Sequence, residues 1–112
     1  MVRLALLMAT LVLLVPAGAA AGVHLLGITP SVHRGGSVRL SVITYVTVTC
    51  SIRVHHGTSK PLVAAGLVPK QNHLLGALQW GWRMPRTAAR GRWTVDLRCG
   101  SEGSLRTSFV VV

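Results

Sequence analysis

At 112 residues the chain has room for one domain and not two. Half of it is hydrophobic, 4% is aromatic and 12% charged, with twelve Lys+Arg against two acids for a formal net charge of +10. Two carboxylates are too few for most paired acid–base chemistry, and a positive excess of this size attracts polyanions without a shaped site.

Met1, Val2 and Arg3 make a short positive start, and residues 4–15 are apolar apart from Thr10. Pro16 then breaks the run, and a cluster of Ala and Gly follows to Gly22. A charged start, an apolar stretch and small residues form, in that order, a secretory signal. Residues 1–21 are therefore expected to be a signal helix removed after Ala19 or Ala21, leaving residues 22–112 as the domain. The competing reading is an uncleaved anchor, since about 20 apolar residues can cross a bilayer. Pro16, the small-residue cluster and His24 stand against it.

Along the remaining chain no helical period stands out. Alternation dominates, punctuated by Gly, Pro and Ser, and predicts an all-β sandwich or barrel. Residues 26–32 read as a first strand with Pro30 at an edge, and His33, Arg34, Gly35 and Gly36 as a turn. From Val38 to Val54 the even positions are apolar or Cys except Thr44, while the odd ones are mostly polar. Such a run exceeds the usual strand of about five or six residues, so two strands with a reversal at residues 44–46 are expected. No Gly, Pro, Asn or Asp is present there to make a tight turn. Residues 55–61 read as a loop, 62–67 as a short strand and 68–72 as a second loop. Leu78, Trp80, Trp82 and Met84 share one face of a strand. After a basic connection at 85–91, Trp93, Val95, Leu97 and Cys99 alternate inward. Residues 100–104 turn and 105–112 close the sheet. The count is about seven antiparallel strands, as in an immunoglobulin-like β-sandwich.

Cys50 and Cys99 are the only cysteines. In an exported chain an isolated pair points to a disulfide rather than to a metal site, which needs further ligands at close spacing. Their inward positions on an early and a late strand suit a bridge across the core.

The run Arg34-Gly35-Gly36-Ser37-Val38, then Cys50-Ser51-Ile52, Ala65-Gly66-Leu67 and Gly76-x-Leu78-x-Trp80-x-Trp82, resembles secreted bacterial immunoglobulin-like domains common in actinobacteria. Thr87-x-x-x-Gly91-x-Trp93-x-Val95-x-Leu97-x-Cys99 and the apolar run Phe109-Val110-Val111-Val112 extend the likeness to roughly residues 29–112. The resemblance implies an immunoglobulin-like fold, one disulfide, an extracytoplasmic or cell-surface address and no catalytic residues. Two departures are visible. Val46-Thr47 replaces a usual Pro-Gly before the first Cys, and Asn72-His73-Leu74-Leu75 replaces an acidic turn.

No enzyme chemistry is expected, and no cofactor. Asp96 sits at an outward position and suits pairing with a cross-strand Arg, and Glu102 lies in a Gly/Ser turn open to solvent. Neither lies beside a nucleophile-elbow motif. His55 and His56 point opposite ways on an extended chain and cannot easily share an ion, and with His33 and His73 they read as solvated loop histidines. Trp80 and Trp82 read as core rather than as a stacking platform. Arg83, Arg86, Arg90 and Arg92 fall within ten residues, and guanidinium groups bind phosphate and carboxylate through two parallel hydrogen bonds. They are the candidate anion-binding set. The partner expected is an anionic cell-wall or membrane polymer, or another envelope protein, with neither a specific nucleic acid nor a small-molecule substrate evident. The alternative function is a secreted inhibitor or small-molecule carrier.

Overall fold

Alternating side chains give each central strand one apolar face. In β3 (Ser37–Thr44) Val38, Leu40, Val42 and Thr44 are buried while Ser37 and Arg39 are exposed. The computed structural model describes residues 22–72 and 76–112, so the expected signal segment at 1–21, and His73, lie outside the described residues. Among the described residues eight strands make two sheets. Three strands, β1 (Val23–Ile28), β3 and β6 (Gly76–Arg83), run in the order β1-β3-β6. The other five are β2 (Ser31–Val32), β4 (Val48–His55), β5 (Lys70–Asn72), β7 (Gly91–Arg98) and β8 (Ser104–Val111), in the order β2-β8-β7-β4-β5. The all-β expectation holds.

One core lies between the sheets. Val38, Leu40, Val42, Leu78, Trp80, Trp82 and Met84 reach it from the first sheet side. Val54, Trp93, Val95, Leu97, Phe109 and Val111 reach it from the second. Trp80 and Trp82 are thus core, as the shared face with Leu78 and Met84 predicts. Phe109 meets Trp82 edge-on at 6.0 Å and stacks on Trp93 at 6.4 Å, spacings at which aromatic pairs add to plain area burial.

The expected single first strand is divided. β1 pairs antiparallel with β3 in one sheet, and β2 pairs parallel with β8 in the other. Pro30 sits at the change of sheet, where its missing N–H costs no ladder bond. Its carbonyl still accepts from Val110 N at 3.0 Å. The turn at residues 33–36 forms as expected, with Gly36 N donating to His33 O at 2.8 Å. Gly35 has φ +80°, the conformation that favours glycine at the third position of such a turn.

The chain reverses after Thr44 without turn residues, and the reason is topological. β3 and β4 belong to different sheets, so no hairpin closes there and no tight turn is needed. The crossover is held by a side chain instead. Buried Asn72 donates to Thr44 Oγ1, and its Oδ1 accepts from Val48 N at 3.0 Å.

Three expectations are corrected. Residues 62–67 are not a strand: Leu62 N donates to Val54 O and Leu67 N to Ala64 O, and the segment passes beside the edge of β6. Gly66, at φ +97°, lies so close to β6 that an added Cβ would stand 2.1 Å from Gly81 O. Residues 70–72 within the expected loop form β5, paired with β4. Finally, Cys50 and Cys99 are bonded but do not join the two layers. The β4–β7 register Ser51↔Arg98, carried one step further, sets the cysteines opposite each other on neighbouring strands, with Cα atoms 4.0 Å apart. Inward position told which face they share and not which sheet they belong to.

Candidate functional site

The outward positions of the five-stranded sheet form the most highly charged face. Register places Arg53 opposite Asp96 and Asp96 opposite Arg106, a row across β4, β7 and β8. The next row holds Ser51, Arg98 and Ser104, and the row on the other side His55, Thr94 and Ser108. Arg92 extends the face towards the connection and donates from Nη1 to Ser108 Oγ at 2.8 Å. Four arginines therefore share this face with one carboxylate.

That carboxylate is already engaged. Arg106 Nε donates to Asp96 Oδ1 at 2.6 Å, and His55 Nε2 lies 2.9 Å from Asp96 Oδ2. The expected cross-strand Arg partner of Asp96 is thus present. The Arg106 hydrogen bond, followed by that of His55, holds the Asp96 carboxyl below its usual range. His55 is not a solvated loop residue. It ends β4, half-buried, and its Nδ1 faces Gly57 O at 2.8 Å. A ring whose two nitrogens both face acceptors is best satisfied when doubly protonated. Its pKa is accordingly raised, first by Asp96 and then by the Gly57 carbonyl. Neither nitrogen is left to activate a nucleophile.

His56 turns the other way, as adjacent strand residues must, and its ring lies 5.2 Å from that of Trp93. Among the described residues no three of His, Cys, Asp and Glu gather closely enough to hold a metal ion. Glu102 is not merely solvated, since its Oε1 accepts from Gly22 N at 3.2 Å.

The candidate arginines Arg83, Arg86, Arg90 and Arg92 are all exposed but do not share one face. Trp82 and Trp93 both point inward, so their neighbours Arg83 and Arg92 project from opposite outer faces. Arg86 and Arg90 lie on the connection between these sheets, with the Arg86 side chain beside Gly35. Arg92 instead belongs with Arg53, Arg98 and Arg106. Sequence reasoning passed over these three as binding residues, although each occupies an outward position of an alternating strand. Parity alone would have found them, whereas grouping them required the register.

No family model matches the chain, and no curated protein matches it. Among solved structures it is similar to a β-glucosidase from Listeria innocua at TM-score 0.52 and 8% identity, over 80% of this chain and 15% of that one. The same enzyme in complex with glucose matches at TM-score 0.50, again with 8% identity and the same coverage. The chain thus spans a small part of the length of these neighbours, and likeness at this identity concerns the fold alone.

Proposed function

We propose that this chain is an exported immunoglobulin-like module without catalytic activity, which works at the cell envelope by binding an extended anionic polymer. The cationic outer face of the five-stranded sheet carries this reading. Arg92 and Arg98 stand six residues apart on β7, about 20 Å along a strand, with Arg53 and Arg106 between and beside them. A strip of that length suits successive charges on a chain better than one compact ligand. Arg86 and Arg90 on the adjoining connection extend the cationic surface.

Other features support the remaining parts of the proposal. The order β1-β3-β6 against β2-β8-β7-β4-β5, with a first strand shared between layers, suits an immunoglobulin-like arrangement. The disulfide is consistent with an extracytoplasmic location, and among the described residues no helix is long and apolar enough to cross a membrane. The engaged nitrogens of His55 favour binding over acid–base chemistry. Trp80, Phe109 and Met84 fill the space between the sheets, which favours a surface ligand over one carried inside.

Retention of the oxidised protein on immobilised polyphosphate tests the proposal. Binding is expected at about 50 mM salt and should fall steeply as the screening length shortens towards about 8 Å at 0.15 M. Replacing Arg92 and Arg98 by Gln should move elution to clearly lower salt, with a smaller change on replacing Arg86 and Arg90. Absence of retention at low salt, or elution unmoved by all four substitutions, overturns it.

A further inference from the structure

The opposite face of the molecule holds a second cationic arrangement of different shape. On the outer side of the three-stranded sheet, register sets Arg39 opposite Gly81 and Ser37 opposite Arg83. The two arginines are therefore diagonal neighbours, at a separation of about 7–8 Å. Gly81 contributes no side chain between them, and an open depression of about 530 Å³ results, lined by Thr29, Ser37, Arg39, Ala65, Gly81 and Arg83. That volume lies within the range of about 300–1,000 Å³ typical of small-ligand sites.

This face has no carboxylate to neutralise it. Asp96 lies on the other sheet, bonded to Arg106, and Glu102 lies beside Gly22. Among the described residues neither the Arg39 nor the Arg83 guanidinium makes a hydrogen bond or ion pair. Two like charges at diagonal positions repel each other, and an anion seated between them would reverse that repulsion. We infer that the Gly81 depression is a binding site for a single phosphate group, gripped by Arg39 and Arg83 from two sides.

The chemistry favours phosphate over carboxylate. A carboxylate offers only two oxygens in one plane, so two guanidinium forks approaching from different sides must share them. A tetrahedral phosphate offers oxygens in different directions, enough for both forks and for the Ser37 hydroxyl. Thr29 Oγ1 already accepts from Arg39 N at 3.0 Å, which fixes the wall and leaves its own O–H to donate. Rigidity comes from position, since both arginines stand on paired strands and β3 is central in its sheet. The inference is independent of the polymer-binding strip, which faces the other way.

Titration of the whole oxidised chain with inorganic phosphate, glycerol 3-phosphate, a glycerol phosphate polymer and acetate, followed through the Gly81 and Arg39 amide resonances, tests it. Saturable shifts are expected with the phosphates, and acetate should bind at least tenfold more weakly. Arg39→Gln and Arg83→Gln should each weaken phosphate binding about tenfold. At Gly81 an added Cβ meets only Val38 O, at 3.9 Å, so Gly81→Val should stand between the two guanidinium groups and weaken binding with both arginines in place. Arg92→Gln with Arg98→Gln, on the far face, should leave these affinities unchanged even if polymer retention is lost. Binding of the polymer as well as glycerol 3-phosphate supports a phosphate within a chain, and binding of the monoester alone supports a terminal phosphate. Acetate binding as tight as phosphate, undiminished affinity in both Arg39→Gln and Arg83→Gln, or absence of saturation with every phosphate overturns the inference.

Discussion

Reducing the Cys50–Cys99 bond, or replacing both cysteines by Ala, should be among the most damaging small changes available to this fold. The bond closes a loop with a sequence separation of 49, and a loop of that size restricts the unfolded chain by about 4 kcal/mol on the chain-entropy account. A domain of about 90 residues is expected to have a total stability of roughly 5–14 kcal/mol, so the loss is between a third and most of it. At about 4–8 °C per kcal/mol, melting should fall by roughly 16–32 °C. Because the cysteines face each other on paired strands, the folded form needs no bridge to hold β4 against β7. Their ladder from Ser51 to His55 continues without it. The reduced chain should therefore keep its β-sheet circular dichroism and the hydrogen-exchange protection of the Val95 amide at low temperature. Its urea m-value should also rise as the unfolded state expands. The assay is urea and thermal unfolding of oxidised, reduced and doubly substituted protein. A shift of less than about 5 °C in both reduced forms would refute the loop-entropy account. Loss of β4–β7 protection while the rest of the molecule stays folded would show that the bridge holds the native state together directly.

Gly66→Ala should cost at least about 2 kcal/mol, because left-handed backbone strain of about 1–2 kcal/mol adds to a collision with Gly81 O. Gly57→Ala, at φ +59° with nothing within 4 Å, should carry the strain alone, and equal urea midpoints for the two variants contradict the close approach. The His55–Asp96–Arg106 group should give stability a pH window. Since the pKa of His55 is raised above 6.5, its contribution is complete below that value and is lost as pH climbs through the raised one. Since the pKa of Asp96 is depressed below 3.8, its contribution is complete above that value and is lost as pH falls through the depressed one. Melting between pH 2 and 9 should show both limbs, each small because the cluster is open to solvent at Arg106. His55→Gln should abolish the alkaline limb, and an unchanged limb in that variant would count against the pairing.

Much of the fold is legible in the period of two. The even-numbered run from Val38 to Val54, apart from Val46 exposed in the crossover, and the faces led by Trp80 and Trp93 identify the inward side chains, because alternation reports burial within a strand. What alternation omits is pairing. It cannot say that β3 and β4 lie in different sheets, that Cys50 and Cys99 are neighbours, or that Pro30 marks a change of layer. Residues 62–67 carry apolar side chains at Leu62, Ala64 and Leu67 that pack on the core from irregular backbone, and so imitate a strand. β5 is polar at Lys70 and Gln71, and is a strand because β4 offers it an open edge. The site follows the same division. Exposure of Arg83, Arg86, Arg90 and Arg92 is readable from sequence, but closeness in sequence is a poor guide to closeness in space around a sandwich. Arg83 meets Arg39 across a ladder, and Arg92 joins Arg53 and Arg106 on the far side.

The parallel contact between β2 and β8 has a mechanical consequence. Tension applied towards residue 22 on one side and residue 112 on the other would draw these two strands lengthwise past each other. The bonds from Val110 N to Pro30 O and from Val112 N to Val32 O lie across that direction, so they would be loaded together and not torn one after another. A strand of two residues thereby acts as a shear lock at the point where the chain passes from one layer to the other.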